Sequence, residues 1–182
     1  MFLTAQLLTV TAFKKLRRFP PLYLSRAGLY LMIILGANGA IVPLVYFSAW
    51  LAPVIWLAFI FLLDPINYLR GWPSIIGDLQ QGSYRRLFAL LSAGGICGIL
   101  WEFWNYWALS KWTYTVPYFG SVKIFEMPVL GYLGFPPFAV ESWVIYIFFR
   151  SLLSEKPLET GSIWIESLKE RVGKIFFGVG PK

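Results

Sequence analysis

The chain has 182 residues, of which 58% are hydrophobic, 19% aromatic and 14% charged, with a formal net charge of +7 and a mean hydropathy of +0.63. Soluble domains carry about 25% charged residues, so this composition belongs to a membrane protein. With no His and one Cys (Cys97), the chain excludes His-dependent triads, imidazole-ligated zinc or haem, Cys-cluster metal sites and an intrachain disulfide. No cofactor is expected.

The basic residues flank apolar segments without forming a groove, so the positive excess reads as membrane orientation, and nucleic acid is not an expected partner. The expected fold is all-α and integral to the membrane, with about four transmembrane helices and interfacial helices at both ends. Residues 1–26 form the first of these interfacial segments. Residues 1–13 are apolar but too short to span, and a basic cluster (Lys14, Lys15, Arg17, Arg18) and the Pro20-Pro21 break follow. A secretory signal would place its charge before the apolar stretch, so none is assigned, and a longer native N-terminus stays open.

From Ala27 to Leu63 there are 37 residues without a charge. As a single helix they would extend ~55 Å, nearly twice a ~30 Å hydrocarbon core. Gly36, Asn38, Gly39, Pro43 and Pro53 are candidate breakers, giving passes over roughly 27–46 and 49–68 with a turn near Ser48. One long tilted helix followed by a re-entrant segment is the alternative. Asp64 ends the second pass, where it caps the next turn or pairs with Arg70, while Arg70, Arg85 and Arg86 anchor at head groups.

The third pass covers 87–109 and the fourth 135–153, entered through Phe135-Pro136-Pro137-Phe138. Together the four passes make a domain over 27–153 with an outer aromatic loop at 110–134. Lys and Arg in the short connections place both termini and the 70–86 connection in the cytoplasm of a bacterial cell, on its inner membrane. Gly94, Gly95 and Gly98 let another helix approach closely, within the monomer or across a homodimer, and Cys97 on that face reads as inert packing. In the cytoplasmic tail, 154–182, Trp164, Leu168, Val172, Ile175, Phe176 and Val179 recur at helical spacing. That face suits a lipid surface or a membrane-protein partner.

Chemistry concentrates at the outer boundary. Trp101, Trp104, Trp107, Trp112 and Tyr114 belong to an aromatic belt, which is ordinary at that depth. Glu102 and Asn105 are three residues apart and share a helix face. A carboxylate inserted at mid-bilayer costs roughly 2.5–3.5 kcal/mol, so Glu102 needs a wet cavity, a role, or an ion-pair partner such as Lys111 or Lys123. Glu126 lies in a loop too apolar to be solvated, and Glu141 lies one turn into the fourth pass beside Trp143. If Glu102, Glu126 and Glu141 converge, like charge and burial favour shared protons, and the surrounding π-faces would steady a carbocation. The three carboxylates are the candidate catalytic groups. Trp101, Trp104, Asn105, Trp112, Tyr114 and Trp143 are the candidate binding groups.

Trp104-Asn105, Trp112-Thr113-Tyr114, Gly120 and the Pro-rich step into Glu141 resemble the membrane lycopene cyclase domain of carotenoid synthesis, over roughly residues 87–150. The resemblance implies acid-driven cyclisation of a polyene without net redox change. The chain departs from that pattern in having Asn105 where the family has Asp, and a single Glu141 where it has paired Glu. It is also similar to bacterial membrane proteins without an assigned activity. Three functions follow as expectations: a protein that binds or transforms an apolar isoprenoid, carotenoid or lipid; an accessory subunit of a larger membrane complex; and a transporter or channel.

Overall fold

The structure, a computed structural model, describes residues 1–46, 48–114, 120 and 122–153. The tail helix expected within 154–182 lies outside the described residues. Among the described residues six α-helices run in order as α1 (Phe2–Val10), α2 (Arg26–Val45), α3 (Ala52–Leu69), α4 (Ile75–Gln80), α5 (Arg85–Trp107) and α6 (Phe135–Leu153). A hairpin of β1 (Lys123–Ile124) and β2 (Met127–Pro128), then a 3-10 segment (Val129–Gly134), lead into α6. Among the described residues three segments are long and apolar enough to cross a membrane: Arg26–Val45, Arg85–Trp107 and Val129–Leu153. The apolar part of α3, Pro53–Leu69, is shorter.

The helices pack in the order α2, α3, α6, α5, α1. Gly36 lies against Ala58 and Leu62, and Gly39 against Val54 and Ala58, so α2 and α3 run antiparallel. These glycines read as candidate breakers inside the expected pass 27–46. Instead α2 continues through them and Pro43, because the missing Cβ atoms let α3 approach: a Cβ on Gly36 would sit 2.7 Å from the Ala58 carbonyl oxygen. Pro53 falls in the first turn of α3, where a missing N–H costs nothing.

The same device joins α5 to α6. Gly94 packs on Phe135, Pro136 and Ala139, and Gly98 packs on the Phe135 ring, whereas Gly95 faces open space. The expected close approach of another helix is therefore made within the monomer. The core between these helices holds Leu90, Ala93, Ala139, Trp143, Val144 and Ile147.

A polar network closes the basic end. Asp64 on α3 accepts from the backbone N–H groups of Ile75 (2.8 Å) and Ile76 (2.9 Å), and the Ser74 hydroxyl accepts from Gly77 N–H (3.0 Å). Asp64 thus caps α4, satisfying donors that a helix start leaves free. Arg70 stacks on Trp72 rather than pairing with Asp64. Arg86, expected at head groups, turns inward: it pairs with Asp78 at 2.9 Å and covers the Trp143 ring at 4.7 Å. Asn67 donates to the Val144 carbonyl at 3.2 Å, joining α3 to α6.

The N-terminal segment is not a free interfacial helix. Ala5 of α1 is buried in the common core, and Thr4 Oγ1 lies 3.8 Å from Cys97 Sγ. Cys97 is twelve residues along α5 from Arg85, about 18 Å at the helical rise, so α1 is tucked along the bundle. Residues 14–22 then strap onto the turn before α5, through Phe19 N–H to Gly82 O (3.1 Å) and Leu22 N–H to Leu79 O (3.1 Å).

Candidate functional site

At the far end of α5 nearly every residue is aromatic, and packing divides them by face. Trp101, Phe103, Trp104, Tyr106 and Trp107 are exposed, while Glu102 and Asn105 are buried. The i, i+3 spacing therefore turns the two polar side chains inward and leaves the rings at the surface. Each polar group holds the loop that follows. Asn105 accepts from Trp112 N–H at 2.7 Å and donates to Trp112 O at 3.0 Å, a two-point clamp on one backbone residue. Glu102 Oε1 accepts from the Tyr114 hydroxyl at 2.5 Å.

Glu102 is 0% exposed, and its second oxygen, Oε2, has no hydrogen-bond partner among the described residues. Buried polar atoms are nearly always paired, and leaving one unpaired costs about 1–3 kcal/mol, more when it is charged. Tyr114 and Tyr132 lie close enough to interact electrostatically with Glu102. Burial first, and then the hydrogen bond to Glu102, pushes the Tyr114 phenol up to about 12. Trp101 and Trp112 meet edge to face at 6.2 Å beside this group.

The described residues 122–134 of the loop between α5 and α6 fold back on the bundle, in keeping with their apolar composition. The β1–β2 hairpin pairs Ile124 with Met127, leaving Phe125 and Glu126 as the turn, with Phe125 at φ 57°. A bulky residue in the left-handed region is strained by roughly 1–2 kcal/mol. The Phe125 ring is held by contacts with Phe103 at 6.0 Å and Tyr106 at 5.7 Å. Met127 and Pro128 are buried, Gly131 packs on Met127 and Gly134 on Trp56. The Tyr132 hydroxyl donates to Ile124 O at 3.0 Å, tying the 3-10 segment to the hairpin.

The three expected carboxylates do not form one group. Glu126 pairs with Lys111 at 2.5 Å, and Lys111 also lies over the Tyr106 ring at 5.3 Å. That hydrogen bond raises the Lys111 pKa. Lys111 is thus taken by Glu126, and the partner of Glu102 is a phenol. Glu141 lies at another depth. Because Gly94 faces Ala139 across antiparallel helices, Glu141 is level with about residue 92, ten residues or about 15 Å from Glu102 along α5. Its carboxyl group meets the Phe59 backbone on α3. The reason is the 3-10 segment: Val129–Gly134 fills the outer layer, so α6 begins a turn below Glu102. Among the described residues no three His, Cys, Asp or Glu side chains group closely enough to hold a metal ion.

Of the expected binding residues, Trp101, Asn105, Trp112 and Tyr114 surround Glu102 or its loop. Trp104 is exposed, and Trp143 is 2% exposed beneath Arg86, toward the basic end. Sequence reasoning missed Tyr132 and Phe125, although the apolar loop containing them was a signal. Asn67 lacked one, because its partner is a backbone carbonyl 77 residues away. No protein-family model matches this chain, and no curated protein or solved structure matches it.

Proposed function

We propose that this is a four-pass protein of a bacterial inner membrane that binds an apolar isoprenoid, carotenoid or lipid chain at the aromatic wall around Glu102, and transforms it by acid chemistry. The observation that carries this reading is a fully buried carboxyl group with one oxygen unpartnered and the other held by Tyr114. In the proposed reaction Glu102 gives a proton from Oε2 to an alkene carbon. The ring faces of Trp101 and Trp112 steady the carbocation; a second alkene of the same chain attacks it to form the ring carbon–carbon bond, and a carbon beside the new cation returns its proton to Glu102, restoring the acid without a redox partner. Asn105 acts as a positioning residue, since its amide is spent on the Trp112 backbone.

Four passes are supported by the α2–α3 hairpin: α3 has 18 residues, about 27 Å of helix against a ~30 Å core. The basic connections then lie on the cytoplasmic side. The test is native mass spectrometry of the protein released gently from its own membranes, followed by turnover of the compound found. A monomer or homodimer carrying a discrete isoprenoid or lipid mass is expected, with Glu102→Gln still folded and still loaded but at least 100-fold slower. Full turnover by Glu102→Gln would remove the acid role. Stoichiometric release with other polypeptides, and no small ligand, would instead make this an accessory subunit.

A further inference from the structure

The basic end carries a cavity that the outer site does not use. Its volume is about 340 Å³, and Arg17, Arg18, Gln81, Ser83, Tyr84 and Arg85 contribute to its walls. That size lies near the lower bound of ligand pockets, roughly 300–1,000 Å³, and suits a compact head group rather than a whole lipid.

The cavity exists because two distant segments are joined. The backbone bond from Phe19 N–H to Gly82 O (3.1 Å) and the bond from Arg85 Nη2 to Lys14 O (2.8 Å) draw the basic cluster over the turn before α5. Gly82 has φ 70° and lies against Phe19 O, so this approach needs a glycine. The Phe19 ring packs edge to face on Tyr84, one of the lining residues, at 5.2 Å.

The charge in the cavity is unbalanced. Asp78 also lines it, but its carboxylate is committed to Arg86 at 2.9 Å. The exposed Arg17 and Arg18 and the partly buried Arg85 are left as three cations lining this open-sided space. Arg85 spends Nη2 on Lys14 O, while its buried Nε has no hydrogen-bond partner among the described residues. The first turn of α5 opens at the same place without a side-chain cap, which adds free N–H donors and the positive end of a 23-residue helix.

We infer that this cavity binds a phosphoryl anion, such as the phosphate of an anionic phospholipid head group or free phosphate. Guanidinium groups match phosphate oxygens in geometry and charge. The position at the basic end of a membrane-spanning helix places the site where phospholipid phosphates lie. The proposal does not depend on the reading of the Glu102 site.

The experiment uses the full chain in mild detergent, equilibrated with equal phosphatidylglycerol and phosphatidylcholine, with retained lipids counted by native mass spectrometry. The wild-type protein is expected to retain phosphatidylglycerol at least tenfold over phosphatidylcholine. Arg17→Gln/Arg18→Gln should lose at least fivefold of that retention. Lys14→Gln/Lys15→Gln removes the same charge outside the cavity lining and should change it less than twofold. Arg17→Lys/Arg18→Lys keeps the charge, and its melting curve and partial retention separate lost binding from lost folding. A second arm titrates inorganic phosphate and follows its 31P line width. Phosphate binding that is lost in the Arg17→Gln/Arg18→Gln protein, without phosphatidylglycerol retention, would make free phosphate the source and uphold the site. Equal retention of both lipids with no phosphate effect would overturn the proposal. So would equal losses in the Arg and Lys double variants, which would mean diffuse surface charge.

Discussion

Buried carboxylates occur at both ends of this bundle, and they are satisfied differently. At the basic end Asp64 receives two backbone N–H groups at 2.8 and 2.9 Å, and Asp78 receives Arg86. Each acid there has its charge matched by donors that the fold itself needs to place. At the aromatic end Glu102 is buried as deeply as Asp64, but among the described residues its partner is the Tyr114 phenol and Oε2 has none. The contrast separates an acid whose oxygens are both taken by backbone donors from one that keeps an oxygen without a donor among the described residues. Burial is common to the two acids; the unused hydrogen-bonding capacity is what distinguishes Glu102.

Breaking the basic end should have the largest effect. Asp64→Ala strands the N–H groups of Ile75 and Ile76, and hydrogen bonds to a charged group contribute roughly 1.5–3 kcal/mol each. The expected loss is about 3 kcal/mol, read as a lowered unfolding temperature in detergent, with Asp64→Asn losing less because one acceptor remains. Glu102→Gln keeps an acceptor for Tyr114 and should lower stability far less. If the two ends lose stability equally on these substitutions, the contrast fails.

The next test sharpens the aromatic end by titration. Burial, and second the hydrogen bond to Glu102, pushes the Tyr114 phenol from its ordinary value of 10.0 up to about 12. A raised phenol pKa means the folded state holds its proton more tightly than the unfolded chain does. The stability from this group is therefore complete below pH 10 and is lost as pH rises toward 12. The absorbance difference between wild type and Tyr114→Phe should show that late phenolate. In Glu102→Gln the midpoint should fall only part of the way, because burial stays. A return all the way to 10.0 would mean that the carboxylate, not burial, dominates.

The smallest effect is expected at Lys111 and Glu126. Their pair is short, but Lys111 is exposed, and exposed ion pairs contribute little. Lys111→Ala should leave the melting temperature unchanged at neutral pH. Because the Lys111 pKa is raised, whatever stability the pair gives is present in full below the ordinary lysine value of 10.5 and is lost as pH rises beyond it. A clear loss at pH 7 would show that the hairpin depends on this pair.

Much of the architecture was legible from local pattern. The expected span 135–153 coincides with α6, and 87–109 is within two residues of α5 at each end. The facing of Glu102 and Asn105 was legible from their spacing. The convergence of three carboxylates was not, because it assumed that α5 and α6 meet the outer boundary at one level. The 3-10 segment Val129–Gly134 takes that level, and its placement rests on Gly131 against Met127 and Gly134 against Trp56. Likewise Gly36 and Pro43 read as breakers in isolation and became helical once α3 lay beside them.

The sequence by itself determined that this protein resides in a membrane, where its apolar helices start and stop, and which residues share a helix face. These properties follow from composition and from the 3.6-residue helical period, which act over a few neighbours. Tertiary structure decided the relative depth of the helices, the capping of α4 by Asp64, the separation of Glu102 from Glu141, the pairing of Glu126 with Lys111, and the folding of Arg17 and Arg18 toward Arg85. Each depends on a contact between residues far apart in the chain, made where a glycine or a backbone group lets two elements close, and no local period encodes it.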